Sequence, residues 1–296
     1  MGTMREYILW SNCDNCCKFC WQQKKHDITT FLSKKEQVQS IQATIDALKE
    51  IEIGDDVLLV GGELFCYDDM VDTALRKLID KCIDLLKNDT IRFLYINTNL
   101  INTRINGSLF YLLDEICKNN LEDKLKFTTS FDIYGRFDNV KAANNFFMRL
   151  SRVNKTYPKI NIVVNSIITK GLIDEFNNVE GVDMGIKDIK HVLTKYYGVK
   201  YINYIPYIPV PDDRSMDVTF KDIVKVLAAQ EKIEPGYINR YIDDFDLNQN
   251  KVLYEYHKDK GYVECTAKYA ECHHNENFKK VLGDECYICK LKDVFR

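Results

Sequence analysis

Cys13-Asp14-Asn15-Cys16-Cys17-Lys18-Phe19-Cys20 follows, two residues on, the apolar strand-like run Tyr7-Ile8-Leu9-Trp10. Read together, Cys13, Cys17 and Cys20 have the spacing C-x3-C-x2-C. Three thiolates on one short loop can hold three irons of a [4Fe–4S] cluster and leave the fourth iron free of protein ligands, open to a small molecule. The competing reading is a zinc knuckle, with Cys13–Cys16 or Cys17–Cys20 as a C-x2-C pair completed by cysteines of the tail. Cys16 breaks the three-ligand spacing and reads as a bystander thiol.

Downstream of this loop, β-type runs alternate with helical periodicity. Ser33 and Glu36 form a capping box that opens a helix with Val38, Ile41, Ile45 and Leu48 on one face. A strand over 56–60 ends in Gly61-Gly62-Glu63, and a second helix carries Val71, Ala74, Leu75, Leu78 and Cys82 on its inner stripe. Further strands are predicted over 91–97, 126–132, 160–168 and 201–207, with helices over 109–117 and 142–150 between them. This repeat implies parallel strands joined by right-handed crossovers. Six units are too few for a closed eight-stranded barrel, so an open, partial (β/α)6 barrel is expected. In such architectures chemistry gathers at the C-terminal ends of strands. The cysteine loop, Gly61-Gly62-Glu63, Asn97-Thr98-Asn99 and Ser130-Phe131-Asp132 should therefore converge on one mouth.

The cysteine loop, with Phe19 before its last cysteine, and a GGE sequence ending the second strand resemble the signatures of radical S-adenosylmethionine (radical SAM) enzymes. The likeness covers residues 5 to about 210 and implies an α/β fold with the partial barrel of that superfamily. It also implies a cluster held by Cys13, Cys17 and Cys20. Phe19, Gly61, Gly62, Glu63, Asn99, Ser130, Asp132 and Asn165 are candidates to contact the cofactor, with Glu63 near the methionine ammonium. The implied activity is reductive cleavage of S-adenosylmethionine (AdoMet) to a 5′-deoxyadenosyl radical that abstracts hydrogen from a substrate. A reductant such as flavodoxin or ferredoxin is the implied partner. Arg136 reads as a partner of Asp132, an anion ligand or half of a surface ion pair. Tyr204 to Tyr207 reads either as an adenine-side wall or as plain core, and Cys66 is a candidate hydrogen-atom donor.

Val210-Pro-Asp-Asp-Arg214 reads as a boundary between a core over 1–210 and a C-terminal extension over 211–296. From about Lys251 the extension is polar and cysteine-rich. Cys265, Cys272, Cys286 and Cys289 give C-x6-C-x13-C-x2-C, beside His273 and His274, and suit a structural zinc or an auxiliary [4Fe–4S] cluster. The chain has 11 cysteines, eight of them in these two groups, and that clustering points to metal rather than disulfides. Cys82 and Cys117 sit on apolar helix stripes and read as packing.

At 46% hydrophobic residues the chain of 296 can bury a sizeable core, and a net charge of −3 argues against a nucleic-acid-coating surface. With no membrane span and no signal-peptide core, a cytoplasmic location is expected. The substrate is open among peptide, nucleotide or nucleic acid, and metabolite; the metal-bearing tail hints at a macromolecule. The rivals are an activase that places a glycyl radical on a partner protein, a zinc-only binding module and a plain electron carrier.

Overall fold

The computed structural model of the chain describes residues 2–15, 17–20, 31–65, 68–179, 181–207, 215–247, 251–265 and 293–295. Strand β1 (Met4–Ile8) lies parallel to β2 (Asp55–Val60), which continues through β3 (Ile91–Thr98), β4 (Leu125–Ser130) and β5 (Ile162–Ile168) to β6 (Val199–Pro206), every pair parallel. This is the six-strand parallel sheet of a partial (β/α)6 barrel. Strands β4 and β5 alternate throughout. In β4 and β5, Leu125, Phe127, Ile162 and Val164 are buried and join Leu112, Phe146 and Leu193 of the helices in one core. Lys126, Thr128, Ser130, Val163 and Asn165 lie on the opposite, half-buried face. A parallel sheet covered on both faces reads as continuous apolar runs. The alternation here marks one face packed on helices and one lining an open trough.

The helices between the first five strands lie where periodicity places them. Helix α1 (Lys34–Ala47) starts from the Ser33–Glu36 capping box, α2 (Asp69–Lys87) from an Asp68 cap, α3 is Ser108–Lys118 and α4 (Val140–Thr156) starts from an Asn139 cap. Two helices, α5 (Lys170–Val179) and α6 (Val182–Tyr197), cross from β5 to β6. Helix α6 ends at Gly198, whose φ of +66° suits a residue without a Cβ. Helix α7 (Phe220–Ile233) packs against α6, and α8 (Tyr237–Leu247) closes the β6 edge, where the Tyr204 backbone N–H donates to the Tyr237 hydroxyl at 2.8 Å.

The C-terminal segment adds two strands that the sequence pattern does not announce. Strand β7 (Lys251–His257) pairs parallel with β1, and β8 (Gly261–Cys265) returns antiparallel to it, giving the order β6-β5-β4-β3-β2-β1-β7-β8. Tyr7 stacks on Tyr254 at 5.3 Å and meets Tyr262 edge-on at 5.4 Å. The hairpin also adds to the buried face of α1. Alongside Ile41 the helix turns Gln37, Ser40 and Thr44 inward, because the Ser40 hydroxyl donates to the Leu9 carbonyl at 2.8 Å and Thr44 meets the Tyr262 hydroxyl at 2.6 Å. Val38 and Ile45 are left half-buried. Cys82 is fully buried, as a packing residue should be. Cys16, Cys66, Cys272, Cys286 and Cys289 lie outside the described residues, and Cys265 ends β8 with its backbone opposite Leu253. Among the described residues, no helix is long and apolar enough to cross a membrane.

Candidate active site

The pairing of β1 with β2 does not stop at the strand ends. Leu9 N–H donates to the Val60 carbonyl at 3.0 Å, Gly62 N–H to Trp10 at 2.9 Å and Glu63 N–H to Asn12 at 2.8 Å. The approach to the cysteines and the Gly61-Gly62-Glu63 turn therefore run side by side. Contact is so close that a Cβ on Gly62 would lie 2.1 Å from the Asn12 carbonyl oxygen. A Cβ on Gly61 would lie 2.9 Å from both Trp10 O and Leu64 Cδ2. These glycines are needed first for chain to pass chain. Trp10, buried, donates its indole N–H to the Glu63 carbonyl at 3.0 Å. Asn12 exchanges two hydrogen bonds with Leu32, tying the loop to the start of α1.

The cysteine loop is docked on the segment after β4. Lys18 N–H donates to Gly135 O at 2.7 Å, and Gly135 has φ of +77°. Buried Asn15 donates through Nδ2 to Cys17 Sγ at 3.0 Å and to the Arg136 carbonyl at 3.1 Å. Phe19 packs with Tyr207 and Met216 in a small apolar cluster that also touches Cys17, Tyr134 and Ile167, so it anchors the loop across the mouth. Burial pushes the Cys13 thiol up to about 12 and the Cys17 thiol up to about 11. A metal centre deprotonates such thiols outright. Side-chain N–H groups point at the two sulfurs, Asn15 and Arg136 (3.8 Å) at Cys17 and Asn99 (3.7 Å) at Cys13, and Cys13 also accepts from the Asn15 backbone N–H. N–H donors aimed at sulfur suit thiolates, and three thiols on one loop suit a cube that takes one per iron. Among the described residues, no three Cys, His, Asp or Glu side chains gather tightly enough for a single ion.

Glu63 is 3% exposed, and its carboxylate accepts from Thr98 Oγ1 (2.9 and 3.1 Å), from the Asn99 N–H (2.6 Å) and from the Phe65 N–H (3.0 Å). All these donors are neutral, and burial pushes its carboxyl up to about 7. It joins the ends of β2 and β3. Asn99 extends this link, donating to Asp14 at 3.1 Å and accepting from Ile101 N–H at 2.7 Å. Asp132, 2% exposed, accepts from Ile167 N–H (2.5 Å) and Ser166 Oγ (3.3 Å), joining β4 to β5. Its other oxygen has no hydrogen bond among the described residues and stands 3.8 Å from Arg136 Nη1. Burial, against the pull of Arg136, pushes its carboxyl up to about 6. Arg136 is only 5% exposed, which makes it part of the interior and not a surface ion pair. Ser130, Asn165 and Asn203 form one row across the trough face, with Asn203 Nδ2 donating to Asn165 Oδ1 at 3.3 Å.

A cavity of about 490 Å³ opens beside the loop, bounded by Trp10, Cys13, Asp14, Lys34, Gln37 and Glu63. It brings Cys13 and the buried Glu63 to one space of a size suited to a small molecule. Tyr204 is fully buried among the core residues, which resolves the choice between wall and core for that residue. Thr98, Asn15 and Asn203 were not singled out by the sequence. The only signal for Thr98 and Asn203 is a polar residue at a strand's C-terminal end.

No protein-family profile matches the sequence, and no curated protein does. Among solved structures the chain is similar to native anSMEcpe with bound AdoMet, at 14% identity and a TM-score of 0.50, over 99% of this chain and 84% of that one. It is similar also to a hexahistidine-tagged form of anSMEcpe with bound AdoMet, at 12% identity and a TM-score of 0.52, over 98% and 91%. The protein in both is an anaerobic sulfatase-maturating enzyme, a radical SAM enzyme. What is shared at this distance is the fold.

Proposed function

We propose that this chain, whose fold is that of radical SAM enzymes, reductively cleaves AdoMet and abstracts hydrogen from a substrate. The observation that carries the reading is the cavity shared by Cys13 of the C-x3-C-x2-C loop and by Glu63 of the GGE turn. Cys13, Cys17 and Cys20 would hold a [4Fe–4S] cluster. When bound, that group supplies the electron for cleavage at an iron with no protein ligand.

The rest is the work of the chain's own side chains. Glu63, buried and held by Thr98 and the Asn99 backbone, offers an anion to the methionine ammonium without having to reorganise. Asn99 spans Asp14, Cys13 and the β3 exit and keeps the loop and the turn in register. Asp132, Ser130 and Asn165 lie farther along the sheet, at the ends of β4 and within β5, where they would meet the ribose and the substrate. Phe19 and the docking of Lys18 on Gly135 hold the loop over the mouth and limit water there. A flavodoxin or ferredoxin would deliver the electron. The tail cysteines Cys265, Cys272, Cys286 and Cys289 would hold a second metal, zinc or an auxiliary cluster.

The test is anaerobic reconstitution with iron and sulfide, followed by reduction with dithionite in the presence of AdoMet. The expected product is 5′-deoxyadenosine, and Cys17→Ala should abolish both the N-terminal cluster and that product. Cleavage at the wild-type rate in the Cys17→Ala chain would sink the ligand assignment. A cluster whose spectrum AdoMet leaves untouched would favour the electron carrier instead. Metal analysis of Cys289→Ala against wild type reads the tail site, which predicts loss of one metal centre.

A further inference from the structure

Cys13 and Cys17 are set in different electrostatic surroundings: both have acidic neighbours, Asp132 and Asp138 beside Cys17, but Cys17 also has a cation, Arg136. Cys13 takes the Asn15 backbone N–H and a long contact from Asn99 at 3.7 Å, and has the acidic Asp14 and Glu63 for neighbours. Cys17 has a short contact from Asn15 at 3.0 Å and a guanidinium N–H at 3.8 Å. The guanidinium is that of Arg136, whose side chain is 6% exposed beside an Asp132 side chain that is 2% exposed. Burying a cation is expensive unless it is fully paired. Here the pairing is incomplete: among the described residues, Arg136 Nε and one Asp132 oxygen are both buried without a hydrogen bond, and the closest approach of the pair is 3.8 Å. The Cys17 sulfur is the other group that the cation reaches. A neutral thiol gives a guanidinium little in return, whereas a thiolate bound to iron carries the negative charge it lacks.

We propose that Asn15 and Arg136 are positioning residues that raise the reduction potential of the cluster through the Cys17 sulfur. The inference rests on the cluster assignment above, but not on the AdoMet reaction. Adding one electron makes the metal–thiolate unit more negative. Hydrogen bonds to a ligand sulfur and a nearby positive charge both stabilise that reduced form. Arg136 Nη1 stands 3.8 Å from both Asp132 Oδ2 and Cys17 Sγ, so the cation that Asp132 holds lies against the loop.

The test is a redox titration of the reconstituted full-length chain, followed by electron paramagnetic resonance with no AdoMet added. Iron and sulfide are counted first. Arg136→Met, with wild-type iron content, should lower the equilibrium constant for one-electron reduction by about tenfold, a fall of about 59 mV. Arg136→Lys keeps the charge and should recover part of that loss. Asn15→Ala should shift the midpoint in the same direction while Arg136 stays in place. Lys49→Met, which removes an exposed charge far from the loop, should leave the midpoint where it was. If Arg136→Met does not load iron, Arg136→Lys and Asn15→Ala carry the measurement. A loaded Arg136→Met or Asn15→Ala chain with the wild-type midpoint overturns the proposal while leaving the cluster assignment intact. A wild-type chain that takes up no iron overturns both, and the metal count separates the two failures.

Discussion

The two ends of the parallel sheet both bury carboxylates, and they treat them differently. At the N-terminal end, Asp55 accepts from Arg5 Nε at 2.5 Å and from Thr3 N–H at 2.9 Å, and Asp56 takes both arms of Arg92 at 2.9 and 3.2 Å. Each acid there has its cation. At the C-terminal end, Glu63 is held by neutral donors, and Asp132 keeps one oxygen without a hydrogen bond among the described residues. Their carboxyls are pushed up to about 7 and about 6. Paired charges stabilise one fold, whereas buried charges short of partners mark a place where something else is meant to bind. The contrast separates the end that holds the sheet from the end that carries the candidate site.

The contrast can be broken most directly at Asp55. Asp55→Ala should lower stability by about 3 kcal/mol, because it leaves the largely buried Arg5 with only the exposed Glu52, 3.5 Å away. Urea unfolding measures this, and iron uptake per folded chain should stay at the wild-type level. A variant that lost the cluster at unchanged stability would put function at the wrong end.

Glu63 sharpens the contrast through pH. Its folded carboxyl, near 7, lies above its ordinary 4.5, so the folded chain holds a proton that the unfolded chain has released. The resulting stability is complete below about pH 4.5 and is lost as pH rises through about 7, for a total of about 3 kcal/mol. Asp132 adds to this slope between its ordinary 3.8 and about 6. Glu36, whose capping-box bonds pull it down to about 2, acts in the opposite sense and only below about pH 4.5. The apo chain should therefore be more stable at pH 5 than at pH 8, and Glu63→Gln should flatten most of that difference. A wild-type urea midpoint independent of pH over this range would contradict it.

Gly62→Ala comes next, at about 1–3 kcal/mol, since the new methyl meets the Asn12 carbonyl and not a movable side chain. It should also impair cluster loading, because the same displacement shifts the chain leading to Cys13. Lys49→Ala, at an exposed pair with Asp46, should change stability by less than about 0.5 kcal/mol in thermal or urea melts.

How much of this was readable in the sequence depends on how local each feature is. The Ser33–Glu36 box and the alternation of β4 and β5 are written in neighbouring residues, and they appear in the structure much as they read. Strands β7 and β8 were missed because β7 pairs with β1 across nearly the whole chain, and a short run rich in tyrosine and charge says nothing of a partner so distant. Ile41 and Leu48 of the predicted α1 stripe are buried, but Ser40, bonded to Leu9, and Thr44, bonded to Tyr262 of the hairpin, are buried with them, and no hydropathy pattern would select those two. Gly61 and Gly62 were singled out for closeness to a ligand, yet they are required by closeness to Trp10 and Asn12. Arg136 read equally well as a surface ion pair, since charge alone does not disclose burial.

The first six strands, the helices between the first five of them and the identity of the cysteine and GGE motifs were determined by the sequence itself, because each depends on residue types at short, fixed spacing. Only the tertiary structure decided that Asn15 and Arg136 reach Cys17 and that Glu63 and Cys13 share a cavity. It alone decided, too, that Glu63 is held by neutral donors and Asp132 meets Arg136 only at 3.8 Å, where Asp55 and Asp56 are hydrogen-bonded to their cations. Burial and the distance between charges are properties of how remote segments pack, and these set the energy of a buried charge.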